Sequence, residues 1–124
     1  MKDRPTGIIR TLPYAAQDGA QGVAYRRMLR GLRRLNVDDE AVVYIGMSQK
    51  PRIEVLHFYI LVGGRIVGRA NIADWLTEQP EMVCWDDSTR VCKFWAVLSA
   101  PFVEPLEPIR MRGFQGFRYT GLIF

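Results

Sequence analysis

The chain is poor in the residue types that most often carry chemistry. Of its 124 residues one is histidine, His57, and two are cysteine, Cys84 and Cys92. That is too little for a structural zinc site, and Asp74, Asp86 and Asp87 have no spacing that argues for another metal. There is no Gly-rich phosphate loop, no Ser-His-Asp order and no cofactor fingerprint. "GGRIVG" reads as a hairpin, because no helix follows it. Neither a metal nor a cofactor is therefore expected. Long apolar runs are missing as well. "VLHFYILV" falls far short of the ~18–20 residues that a membrane-spanning helix needs. "MKDRPTGIIR" lacks the apolar stretch of a secretory signal, so a cytoplasmic location and no membrane partner are the expectations. In a reducing cytosol Cys84 and Cys92 should be free thiols, although a hairpin over "CWDDSTRVC" could bring them face to face.

What is present is apolar content and local positive charge. Apolar residues make up 48% of the 14.2 kDa chain, enough for one domain spanning residues 1–124 with its own core. The net charge of +4 is unevenly spread. Residues 1–52 hold ten Lys/Arg against five Asp/Glu, and residues 53–124 hold seven against eight. A local excess of this kind suggests a surface facing an acidic partner, or else a solvated face.

Periodicity gives the elements. "GIIRTLP" reads as a first strand ended by Pro13. A helix is expected over residues 23–35, with Asp18 or Gln21 near its start. Tyr25, Met28, Leu29, Leu32 and Leu35 fall on one side of it. Gly31 marks close packing or a bend, and Asn36 and Asp38 stop the helix. Strands follow over "AVVYIGM", over "IEVLHFYILV" (apolar on both faces, hence central), and over "RIVGRANIADW" after a Gly63 and Gly64 turn. "DWLTEQPEM" suggests a short helical turn, "KFWAVLSA" another strand, and "PFVEPLEPI" an extended or edge segment. This order indicates an α+β domain built on a small curled sheet or barrel.

These residues resemble the PUA-like superfamily, which includes the ASCH and EVE domains and related archaeal uncharacterised domains. The resemblance rests on the helix ending "MLRGLRRL", on the hairpin "VLHFYILVGGRIVGRANIADW", and on the ending in which "KFWAVLS" leads through "EPLEPI" to a glycine-aromatic loop. It implies a small mixed or antiparallel β-barrel with one main amphipathic helix. It also implies a cleft that receives RNA or a modified base. Some ASCH-type members are hydrolases or nucleases with a Gly-x-Lys-x-x-Glu-x-Arg motif. Here the matching stretch is Gly31-Leu32-Arg33-Arg34-Leu35-Asn36, without the lysine or the glutamate.

Three groups of residues could meet a polyanion. Arg26, Arg27, Arg30, Arg33 and Arg34 crowd the polar side of the helix with no acid among them, and guanidinium pairs well with phosphate. Ser48, Gln49, Lys50 and Arg52 form a polar loop that could read a base edge and hold a phosphate. Trp75 could stack a base, whereas Trp95, within a strand, belongs in the core. In "RMRGFQGFRYTG" Gly113, Gly116 and Gly121 permit tight turns as the chain closes the barrel, leaving Arg112, Gln115 and Arg118 outward. A catalytic Lys50–Glu54 pair, with Lys50 as base and Glu54 as its orienter, is conceivable, but no catalytic residue is assigned. His57 should be a half-buried strand residue with a backbone partner. The leading expectation is a nucleic-acid-binding module for RNA, or for single-stranded or modified-base DNA. The alternatives are an ASCH-type hydrolase or ribonuclease and a non-catalytic protein-interaction subunit.

Overall fold

A computed structural model describes residues 5–12, 15, 22–78, 81–85 and 88–124. Pro13, Asp18, Gln21, Pro80, Asp86 and Asp87, which figure in the sequence reading, lie outside these. The elements run β1 (Gly7–Thr11), α1 (Val23–Arg34), β2 (Val43–Met47), β3 (His57–Val62), β4 (Arg65–Leu76), β5 (Glu81–Val83), β6 (Thr89–Val91), β7 (Phe94–Val103), β8 (Ile109–Arg110) and β9 (Phe117–Thr120). No helix among the described residues is long and apolar enough to cross a membrane.

One sheet runs in the order β2-β7-β4-β3-β1-β9, and β8 pairs with the start of β4. Its pairs are antiparallel except β1 with β3. Register shifts at Ile60/Leu61, Arg69/Asn71 and Ile72/Asp74 bend the long strands, because each extra residue increases the local twist. The result is a curled, open sheet, a half-barrel, in an α+β chain. The expected closure is corrected here: β9 pairs with β1 and ends the sheet, and the other edge is β2.

Alternation along the central strands builds two apolar layers. Phe58, Ile60 and Val62 of β3 face the concave side with Ile8, Ile45, Leu98 and Phe102, and α1 adds Met28, Leu32 and Leu35. Tyr59 and Leu61 face the convex side with Ile9 and Ile66, covered by Met111, Phe114, Leu122 and Phe124. Each fully buried side chain of this size contributes roughly 1.5–3 kcal/mol. The tail is also tied by hydrogen bonds, from the Tyr59 hydroxyl to the Leu122 carbonyl and from Arg69 Nε to the Phe124 carbonyl at 2.9 Å. β3 is thus apolar on both faces because both faces are covered.

Local chemistry accounts for the connections. Gly63 and Gly64 sit at φ 57° and 80°, the left-handed pair that a two-residue hairpin needs. Of the three C-terminal glycines expected to permit turns, only Gly116 has a positive φ, at 73°. Asn36 does more than stop the helix. Its Nδ2 donates to the Phe102 carbonyl and its Oδ1 accepts from the Phe102 amide, both at 2.8 Å. The side chain thus stands in for a neighbouring strand beside β7, past the stretch that pairs with β2. Gly31 departs from expectation, since an added Cβ would meet nothing within 4 Å. The helical turn expected at "DWLTEQPEM" is also corrected. Asp74, Trp75 and Leu76 continue β4 and pair with Val97, Ala96 and Trp95 of β7, so ladder bonds outweigh the local turn signal.

Candidate nucleic-acid interface

The arginines of α1 are all exposed, but they are not uniformly available. Arg33 forms a two-pronged ion pair with Glu104 through Nη2 at 2.7 Å and Nε at 3.1 Å. That bond raises the Arg33 pKa further, the hydrogen bond contributing more than the charge. Arg34 pairs with Asp38 at 3.2 Å, one turn on. The helix face therefore has acid partners that its own sequence does not reveal, one of them supplied by the segment after β7. Arg26 and Arg30 make no ion pair among the described residues. The hollow beside them is lined by Leu29 and Val37 and holds no aromatic ring.

The polar loop after β2 is set differently. Ser48, Gln49, Lys50, Pro51 and Arg52 form one wall of an open cleft of about 730 Å³. Lys93 and Phe94 at the start of β7, with Phe117 and Tyr119 of β9, form the rest. The cleft lies between the loop that follows β2 and strand β9, beside the start of β7, and is called the β2–β9 seam below. Three cations and three aromatic rings line it, with no carboxylate among the described lining residues. The Tyr119 hydroxyl accepts the Arg52 backbone amide at 3.0 Å, which fastens the loop to β9. Phe117 and Tyr119 meet edge to face at 5.4 Å, and Lys93 Nζ lies 5.7 Å from the centre of the Phe94 ring.

The C-terminal stretch thus contributes its aromatics to the cleft rather than the polar residues expected. Antiparallel register with β1 sets Phe117 opposite Arg10 and Tyr119 opposite Ile8, on the concave side. Arg118, opposite Ile9, lies on the convex side with its guanidinium 4.2 Å from the Phe114 ring centre. Arg112 and Gln115 are exposed in the loop before β9, away from the cleft lining. Trp75 is half-buried against the concave core and lines a second hollow with Lys50, Arg52 and Glu54. No ion pair or hydrogen bond joins Lys50 to Glu54 among the described residues. Trp95 is fully buried, as expected of a core residue. The structure therefore brings together Ser48, Gln49, Lys50 and Arg52, sets Trp75 in the adjoining hollow, and keeps the helix arginines, Arg112, Gln115 and Arg118 apart from them.

Lys93 and Phe94 were missed by the sequence reading, and so was Arg10. An arginine between Ile8 and Leu12 on an otherwise apolar strand face was the signal for Arg10. Its Nη1 donates to the Gly46 carbonyl at 2.8 Å, and burial lowers its pKa against an upward pull from Cys92 and Cys84. Neither cysteine is in a disulfide, and both line a small cavity with Arg10 and Arg90. They follow the two strands of the β5-β6 hairpin, after Val83 and Val91, so they do not oppose each other across it. His57 is half-buried as expected, but its Nδ1 has no hydrogen-bond partner among the described residues in place of the backbone partner foreseen. Burial lowers its pKa, with a smaller push from Arg69, while burial raises that of Tyr59.

No known protein family, curated protein or solved structure matches this chain.

Proposed function

We propose that this chain is a PUA-like nucleic-acid-binding module that takes single-stranded RNA, or single-stranded or modified-base DNA, along the β2–β9 seam. The observation that carries the reading is the company the charges keep. Lys50, Arg52 and Lys93 share one cleft with Phe94, Phe117 and Tyr119 and with no described carboxylate. Single strands are held by this combination, a basic groove for the backbone and rings for the bases. Ser48 and Gln49 add a hydroxyl and an amide for base edges. The α1 arginines add long-range attraction that speeds encounter. The PUA-like part of the proposal draws on the sequence resemblance and on a curled half-barrel with one helix.

Fluorescence anisotropy of labelled single strands across a salt series tests it. Log affinity should fall with log salt at a slope near −0.7 for each phosphate neutralised, about −2 for three cations. Failure to bind any RNA or DNA strand at low salt would end the reading.

A further inference from the structure

Arg10 reaches the concave face of the half-barrel from a strand whose neighbouring residues on that face, Ile8 and Leu12, are apolar. The guanidinium carries five N–H donors. Its described hydrogen bond goes to the Gly46 carbonyl at 2.8 Å. No carboxylate among the described residues lies within ion-pair distance of it. A half-buried cation without a counter-charge is costly, since desolvation is not offset by attraction. The cavity in front of it measures about 110 Å³ and is lined by Cys84, Trp85, Arg90 and Cys92 of the hairpin segment along with β1 and β2. That volume is well above the ~10–15 Å³ that admits one water and below the roughly 300–1,000 Å³ of sites for larger ligands. None of the described lining residues is acidic.

We propose that this cavity is a binding site for a phosphate-sized oxyanion held on Arg10. Guanidinium suits such an anion because its fork can donate two parallel hydrogen bonds. The anion can be free inorganic phosphate or the terminal phosphate of a nucleotide chain. The second source is favoured by position, because Arg10 is the register partner of Phe117, which lines the neighbouring cleft. The oxyanion site stands on the cavity and Arg10, and does not require the nucleic-acid reading.

Thermal unfolding of the full chain in inorganic phosphate, against chloride at matched ionic strength, is the first test. The midpoint should climb with the logarithm of phosphate concentration, as for a ligand that binds only the folded state. Arg10→Met should abolish the climb, and Arg10→Lys should keep part of it, having the charge without the fork. The double variant Arg26→Ala with Arg30→Ala should keep all of it. If Arg10→Met does not fold, loss of most of the climb in Arg10→Lys carries the test, with calorimetry giving one phosphate per parent chain. A climb that is absent in the parent, or that survives at Arg10→Met or undiminished at Arg10→Lys, overturns the proposal.

Calorimetry with 5′-phosphorylated, 3′-phosphorylated and unphosphorylated oligonucleotides then separates the sources. Tighter binding of a phosphorylated strand by about tenfold, lost at Arg10, assigns the anion to a chain terminus. Equal binding of all strands, with inorganic phosphate still bound at Arg10, assigns it to the free anion. Failure of every oligonucleotide to bind counts against the nucleic-acid reading alone, and the phosphate arm still decides the oxyanion site.

Discussion

The arginine side of α1 and the seam between β2 and β9 carry charge of the same sign in different surroundings. On the helix, Arg33 is held by Glu104 and Arg34 by Asp38, the hollow beside Arg26 and Arg30 has no ring among its described lining residues, and the hollow where Arg34 meets Tyr44 and Trp85 also holds Asp38 and Glu40. In the seam, Lys50, Arg52 and Lys93 face a cleft shared with Phe94, Phe117 and Tyr119. Exposed ion pairs such as Arg33–Glu104 contribute at most about 1 kcal/mol to stability, yet they do occupy the guanidinium that a phosphate would need. In the proposed reading the densest run of positive charge is therefore not the polyanion site. The combination of cations and rings with no carboxylate among the described lining residues distinguishes the seam, and it cannot be counted along the chain.

Removing a seam ring should break the contrast most strongly. Tyr119→Ala should weaken single-strand binding by about 1–3 kcal/mol, the value of one stacked base, in an anisotropy titration. Tyr119→Phe keeps the ring and should lose much less, through the released Arg52 amide alone. Gly46→Ala should disturb the seam through the fold. A Cβ there would lie 2.2 Å from Cys92 Sγ and 3.2 Å from Trp95 Cζ3, too close without movement. Overpacking of this kind costs about 1–3 kcal/mol, measurable as a lower urea midpoint. Gly31→Ala should do the reverse on the helix. With nothing within 4 Å of the new Cβ, it should add about 0.5–1 kcal/mol to stability and leave oligonucleotide binding unchanged.

The smallest effect is pH-dependent and lies outside both regions. The folded-state pKa of His57 is below the ordinary 6.5, because burial disfavours the imidazolium and Arg69 adds a smaller push. The unfolded chain therefore takes up this proton first as pH falls. The contribution of neutral His57 is intact above pH 6.5 and is lost as pH falls through the lower folded value. Urea midpoints measured over that window should fall less in His57→Gln than in the parent. Equal falls would mean that the site does not discriminate between the charge states.

Much of the fold was legible because periodicity and punctuation are local. The apolar stripe Met28, Leu32 and Leu35 gave the helix, and Gly63 with Gly64 gave the central hairpin. Apolar residues on both sides of β3 gave a strand covered on both faces. What failed depended on partners distant in sequence. Trp75 joins β4 because β7 pairs with it, overriding the turn signal around Pro80. Phe117 and Tyr119 face the cleft because β9 is antiparallel to β1 in one particular register, and a slip of one residue would have presented Arg118 instead. Of the site, the loop Ser48, Gln49, Lys50 and Arg52 was legible from polarity alone. Lys93, Phe94 and Arg10 were not, since their places depend on which strands β7 and β1 pair with.

The most direct test compares two sets of substitutions in one titration. One variant carries Lys50→Ala, Arg52→Ala and Lys93→Ala, and the other carries Arg26→Ala, Arg27→Ala and Arg30→Ala. Each removes three positive charges, so net charge is matched. The seam variant should lose most single-strand affinity and flatten the salt slope by about 2, while the helix variant should lose only a few-fold with a smaller change in slope. Equal losses in the two variants, or a greater loss in the helix variant, would contradict the seam as the binding surface.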